Sequence, residues 1–151
     1  MKEIIEYIPQ FHMIQQNTRE GHCIQLEGCV PSQLEHLLSC LKKDFDYMVV
    51  TCQDEMQVSG FISNYLAYDK AAYTYPALDP VFSGADIQGS FLQQQRTEVL
   101  QRILENRPCT IVTTPDAFME QLSRVEEIRR EIIRIETGMT LDREELMKRL
   151  V

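Results

Sequence analysis

Gly28-Cys29-Val30-Pro31-Ser32-Gln33 stands where a nucleotide-binding domain keeps its phosphate loop, between an apolar run at Cys23 to Leu26 and an amphipathic helix candidate. The chemistry of that position is phosphate chelation. In a G-x-x-x-x-G-K-[ST] loop the glycines let backbone N–H groups wrap the phosphates, the lysine reaches the outer phosphates, and the hydroxyl holds magnesium. Here Gly28 is present, but the second glycine and the lysine are replaced by Gln33 and Leu34, and no Ser or Thr follows. One glycine between a strand and a helix also fits a plain β-to-α turn, which is the simpler reading. The second half of a nucleotide site is an apolar strand ending in Asp-Glu. Neither the run from Asp46 nor the run Cys109 to Thr113 ends that way; the latter leads into Thr114-Pro115-Asp116. The chain is therefore expected to hold no ATP, no magnesium and no other cofactor.

Other reactive side chains are scattered. His12, His22 and His36 fall on separate elements, with no Asp, Cys or Ser at a triad or metal spacing. The acidic pairs Glu126/Glu127 and Glu144/Glu145 are adjacent on helix candidates, so their carboxylates diverge by about 100° and do not converge on one substrate atom. Cysteines stand at 23, 29, 40, 52 and 109, with no C-x-x-C. Cys23, Cys52 and Cys109 fall in strand candidates and read as small buried hydrophobes. Arg96 lies between Leu92 and Leu100 at i+4 spacing, on the apolar face of a helix candidate. A guanidinium there needs a carboxylate, and Asp79 and Asp86 in the preceding loop are the nearest in sequence. Such a pair would staple helix to loop, or pin the loop for a partner.

Composition bounds the function classes. The 151 residues are 44% apolar, enough for a sizeable core, and carry a net charge of −8. That balance argues against gripping a nucleic-acid backbone, which needs clustered Lys and Arg. An odd number of cysteines without a framework points to a reducing compartment, the cytoplasm. The N-terminus has no apolar signal region, and no run approaches the ~20 apolar residues of a membrane span, so no membrane partner is expected.

Short β-type runs alternate with longer amphipathic ones, the pattern of βαβ units and a parallel sheet. A leading helix is expected over residues 3–16, broken at Pro9. Strands are expected at His22 to Glu27, Asp46 to Cys52, Ala72 to Tyr75 and Cys109 to Thr113. Helices are expected from Pro31, with Leu34, Leu37, Leu38 and Leu41 inward, and over 54–66, with Met56, Phe61, Ile62 and Leu66 inward. Another follows over 91–105, capped by Ser90, with Leu92, Val99, Leu100, Ile103 and Leu104 inward, and a short one over 115–122. The loop 76–89 is long for a compact domain. From residue 124 the composition turns to Arg and Glu, followed by a strand candidate at Ile132 to Ile135, a turn at Gly138 and a last helix capped by Asp142. Residues 1–123 thus read as one α/β domain and 124–151 as a connector and the start of a second, which the chain does not complete. The apolar face of that terminal helix is a candidate for dimer contact or swapping.

Several of these stretches resemble one family. Residues 73–87 (YTYPALDPVFSGADI) are similar to the LPYD-x-x-S-P loop of bacterial transcription-repair coupling factors. Residues 96–104 (RTEVLQRIL) and 110–122 (TIVTTPDAFMEQL) look like the helix and strand that follow it, and 135–150 (IETGMTLDREELMKRL) like the opening of their second domain. The related excinuclease protein UvrB keeps a working phosphate loop where the coupling factor has lost it. The resemblance implies a degenerate RecA-like, P-loop-NTPase-like α/β lobe with a parallel sheet of about four strands, followed by the beginning of a β-rich, UvrB-like module. It implies a non-catalytic scaffold in transcription-coupled nucleotide excision repair. Its parent would be an ATP- and magnesium-dependent DNA translocase that displaces stalled RNA polymerase and recruits the excinuclease protein UvrA through the completed second module. RNA polymerase and DNA would be contacted by other parts of that parent. Two further readings remain open: a degenerate lobe that still binds nucleotide, and a stand-alone adaptor using the loop 76–89.

Overall fold

The computed structural model describes residues 4–77, 87–122, 124–133, 135, 137–140 and 142–150. The chain divides into two compact units, Met1–Glu120 and Gln121–Val151.

The first unit is α/β. A short 3-10 helix (Ile4–Tyr7) and α1 (Pro9–Arg19) lead into α2 (Pro31–Lys42), then β1 (Tyr47–Thr51), α3 (Glu55–Tyr65), β2 (Ala72–Tyr75), α4 (Ile87–Leu104), β3 (Cys109–Thr113) and α5 (Pro115–Met119). The three strands form one parallel sheet in the order β1-β3-β2. Its register runs from Tyr47 opposite Cys109 to Thr51 opposite Thr113, and from Ala72 opposite Thr110 to Tyr75 opposite Thr113. β3 belongs in the centre. Its Cys-Thr-Ile-Val-Thr sequence is rich in β-branched residues, all five positions are buried, and Pro108 and Pro115 bracket it. β1 is an edge strand on which Tyr47, Val49 and Thr51 alternate outward.

The pleat assigns the two faces. Cys109 and Ile111 of β3 and Tyr75 of β2 pack with Val99 of α4 and Ala117 of α5. Side chains one position along point the other way, toward α3. There the Tyr65 phenol lies beside the Thr110 hydroxyl without a well-directed hydrogen bond, and burial pushes it up to about 12. Right-handed crossovers account for α3 and α4 taking opposite faces. α2 packs against α3, and its Leu37, Cys40 and Leu41 form a separate cluster with Ile5 and Phe11.

Several sequence expectations need correction. No strand forms over 22–27. Gly21, at φ +77°, turns the chain out of α1, and the segment runs on extended without a neighbouring strand, with Cys23 and Leu26 exposed. A strand needs a ladder, and three apolar residues among Gln25 and Glu27 present no face to dock one. The sheet accordingly has three strands among the described residues, not about four. Pro9 starts α1 rather than breaking a longer helix, because proline suits the first helical position. α4 begins at Ile87, so Ser90 lies inside it and is not its cap. The buried positions of α3 are Val58 and Tyr65, while Met56 is exposed; Ile103 of α4 is also exposed.

The second unit contains α6 (Val125–Glu131) and α7 (Arg143–Leu150), separated by a turn where Gly138 takes φ +91°. Asp142 caps α7, its Oδ1 accepting the Glu144 N–H at 2.8 Å. The strand expected at Ile132 to Ile135 does not form at its described residues. Ile132 and Ile135 are exposed, and Arg134 lies outside the described residues.

Candidate functional site

Open α/β sheets take ligands beyond the carboxyl ends of their strands, where neighbouring connections leave toward opposite faces. The chain leaves β1 for α3 on one face, while β2 and β3 lead to α4 and α5 on the other. The crevice position therefore lies between the ends of β1 and β3. It is built from Cys52, Gln53 and Asp54 on one side and Thr114, Pro115 and Asp116 on the other.

Several of the hydrogen-bond donors there are engaged within the chain. The Cys52 N–H donates across the crevice to the Thr113 carbonyl at 2.9 Å. Asp54 N-caps α3, its Oδ1 accepting the Gln57 N–H at 2.8 Å, and the Gln57 side-chain oxygen accepts the Gln53 N–H at 3.3 Å. On the other side Thr114 caps α5 by accepting the Ala117 N–H at 3.4 Å, and the Thr113 hydroxyl donates to the Tyr75 carbonyl at 2.6 Å. Asp54, Glu55 and Asp116 place negative charge on this end, which favours the two helix N-termini and repels a phosphate. Burial and the Asp54 charge push the Cys52 thiol up, away from a nucleophilic thiolate.

Gly28 to Gln33 lie elsewhere, at the entry to α2 rather than at the end of a strand. Gly28 takes φ +75° with open space where a Cβ would sit, so it serves a turn and not a close approach to a ligand. Cys29 and Val30 are exposed, Pro31 opens the helix and Ser32 is exposed. Gln33 closes the entry on itself: its side-chain oxygen accepts the Val30 N–H at 3.3 Å, and its own N–H donates to the Val30 carbonyl at 3.0 Å. Of the donors that a phosphate loop would offer, the Val30 N–H is taken by the chain's own glutamine, and the Gln33 and Leu34 N–H groups by the Val30 carbonyl.

Arg96 is buried, 7% exposed, on the face of α4 turned to the sheet. Its Nη1 meets the Glu120 carboxylate at 2.7 Å and donates to the Pro76 carbonyl at 2.8 Å. Its guanidinium carbon lies 4.3 Å from the centroid of the Tyr75 ring. Burial pushes the Tyr75 phenol up against the opposing pull of Arg96, and its hydroxyl has no hydrogen-bond partner among the described residues. The carboxylate that answers Arg96 among the described residues is thus Glu120, which follows the short α5. Asp79 and Asp86 lie outside the described residues. Glu120 carries no sequence signal of its own; its role depends on where β3 delivers α5.

The amino ends of the strands have a different character. Lys42, Lys43, Lys70, Arg102 and Arg107 gather there, where α2, α3 and α4 end. A depression of about 440 Å³ is lined by Ser39, Lys42, Phe45, Asp46, Tyr68 and Pro108, among others. Lys42 is fixed in it, donating to the carbonyls of Phe45 at 2.7 Å and Asp46 at 2.9 Å. His36 stacks on Tyr68 at 5.4 Å, and His22 pairs with Asn17 and Glu20. Of the five thiols, Cys23 and Cys29 are exposed, Cys52 is half-buried just past β1, and only Cys40 and Cys109 are buried, which corrects the expectation for Cys23 and Cys52. Among the described residues no group of three or more His, Cys, Asp or Glu could hold a metal, and no helix is long and apolar enough to cross a membrane.

Comparison of the chain with family models, with curated proteins and with solved structures gives no match.

Proposed function

We propose that this chain is a non-catalytic scaffold lobe, a degenerate RecA-like domain of the kind found at the N-terminus of transcription-repair coupling factors. The observation that carries this reading is the carboxyl end of the sheet. There Asp54, Glu55 and Asp116 stand in place of a phosphate cradle, and the N–H groups of Cys52, Gln53, Gln57 and Ala117 are engaged within the chain. A parallel sheet flanked by helices, with β2, α4, β3 and α5 in the order of the resembling segments, supports the same assignment. Charge supports a protein partner over a nucleic acid. Residues 1–120 hold sixteen acidic and eight basic residues, so the whole net charge of −8 falls on the first unit.

In this role the lobe hydrolyses nothing. It carries the second module, through which a parent translocase would recruit the excinuclease protein UvrA, while RNA polymerase, DNA, ATP and magnesium are handled elsewhere in that parent. Two titrations test the reading. A fluorescent ATP analogue gives no saturable signal with this chain; saturation would make it a nucleotide-binding lobe instead. Purified UvrA binds a longer piece that completes the second module and not this chain alone. Binding to neither would leave an α/β adaptor outside repair.

A further inference from the structure

Glu120 is the last residue of the first unit, and it is held by a side chain from a different helix. α5 is only five residues long, too short to persist by its own hydrogen bonds. Its apolar anchorage is thin. Ala117 is buried in the sheet-side cluster, but Phe118 is 60% and Met119 80% exposed. At Glu120 the backbone leaves the helix for an extended conformation, φ −65° and ψ 139°, and its N–H reaches the Ala117 carbonyl only at 3.4 Å. The strong attachment at this point is the carboxylate of Glu120 on Arg96 at 2.7 Å. Arg96 in turn is fixed by the Pro76 carbonyl and the Tyr75 ring, so it is already oriented whether or not Glu120 is present.

We propose that the Arg96–Glu120 ion pair is a latch that holds the end of α5 on the sheet of the first unit, just before the chain passes to the second unit. The receiving half is rigid and buried. The held half is more accessible, since the Glu120 side chain is 27% exposed against 8% for Arg96. The latch therefore opens from the Glu120 side, to salt or to a basic group of a partner that competes for the carboxylate. This inference does not depend on the repair assignment.

Limited trypsin digestion of the whole chain tests it, reading cleavage after Arg124 with cleavage after Lys43 as the measure of general loosening. Glu120→Ala and Arg96→Met each speed the cut at Arg124 about tenfold, the effect of losing a hydrogen bond between charged groups on a local opening. Combined, they speed it no more than Arg96→Met alone, because that substitution already removes the ion pair. Added salt speeds the cut in the unmodified chain and not in the double variant. An unchanged rate in Glu120→Ala overturns the latch. So does a rise that merely follows Lys43, or two effects that multiply. Should Arg96→Met fail to fold, Glu120→Ala and the salt series decide the matter alone.

Discussion

The two ends of the sheet in the first unit are charged differently. At the carboxyl end, acidic residues meet helix N-termini, several backbone donors are engaged internally, and the buried cation, Arg96, is paired with Glu120 and Pro76. At the amino end, Lys42, Lys43, Lys70, Arg102 and Arg107 meet helix C-termini around an open depression, interspersed with Asp44, Asp46, Asp69 and Glu105. Each arrangement satisfies the helix dipoles. A nucleotide-binding lobe inverts this at the carboxyl end, leaving helix N-terminal donors free and placing a lysine among them. Here acidic side chains and internal hydrogen bonds occupy the crevice position, so the charge at this end serves the helices that begin there.

The largest effect that would sharpen this contrast is at Arg96. Arg96→Ala should destabilise the first unit by about 3 kcal/mol, the range for breaking a buried pair, because Pro76 loses its donor and Tyr75 its covering cation. Arg96→Met should cost about half of that, since the aliphatic chain refills the space and Glu120 can turn to water. Denaturant unfolding followed by circular dichroism measures both. Equal costs would mean that charge and its hydrogen bonds, not side-chain volume, hold the carboxyl end. Next come two threonines of β3 that face a carboxylate at one end and a carbonyl at the other. Thr110 donates to Asp69 at 2.7 Å, and Thr113 donates to the Tyr75 carbonyl at 2.6 Å; both are within 1% of full burial. Thr110→Val should cost about 2 kcal/mol and Thr113→Val about 1, because a hydrogen bond to a charged acceptor is the stronger. The reverse order would place the firmer polar lock at the carboxyl end and break the comparison.

How far these ends can be read from sequence depends on what each residue's role requires. β2 and β3 fall at the bounds read from their apolar runs, because Pro76, Pro108 and Pro115 mark them and burial on both faces leaves an unbroken signal. The run at 22–27 has similar composition and no strand, since pairing is a property of neighbours that a single run cannot encode. That Leu34 stands where a phosphate loop would need a lysine is legible. That Gln33 turns back onto Val30 is not, because it follows from the rotamer chosen at the helix entry. Arg96 shows through helical spacing alone, whereas Glu120, twenty-four residues on, meets it only through the path of β3 and α5.

Cysteine labelling discriminates the two ends without substitution. Cys23 and Cys29 should react at once, and Cys40 and Cys109 only on unfolding. Cys52, half-buried with its thiol pushed up by burial, should react at an intermediate rate that rises with pH. Protection of Cys23 would restore a strand to 22–27 and return the Gly28 turn to a sheet end.

The smallest effect concerns Asp44, just before β1 at the amino end. The Arg19 guanidinium donates to it at 2.6 Å and the Gln15 amide at 2.8 Å. The hydrogen bond from Arg19 holds its carboxyl below the ordinary value of 3.8, against the opposing pull of burial. A carboxyl with a lowered pKa in the folded state contributes stability above its unfolded value and loses it as pH falls through the folded one. The difference in melting temperature between the unmodified chain and Asp44→Asn should therefore be constant above about pH 5 and shrink away as the solution is acidified below about pH 4. Arg19 is more than half exposed, so salt should narrow the same difference at neutral pH. A difference that ignores both acid and salt would show that Asp44 acts through the shape of the turn into β1, and the charge pattern of the amino end would then be incidental to its stability.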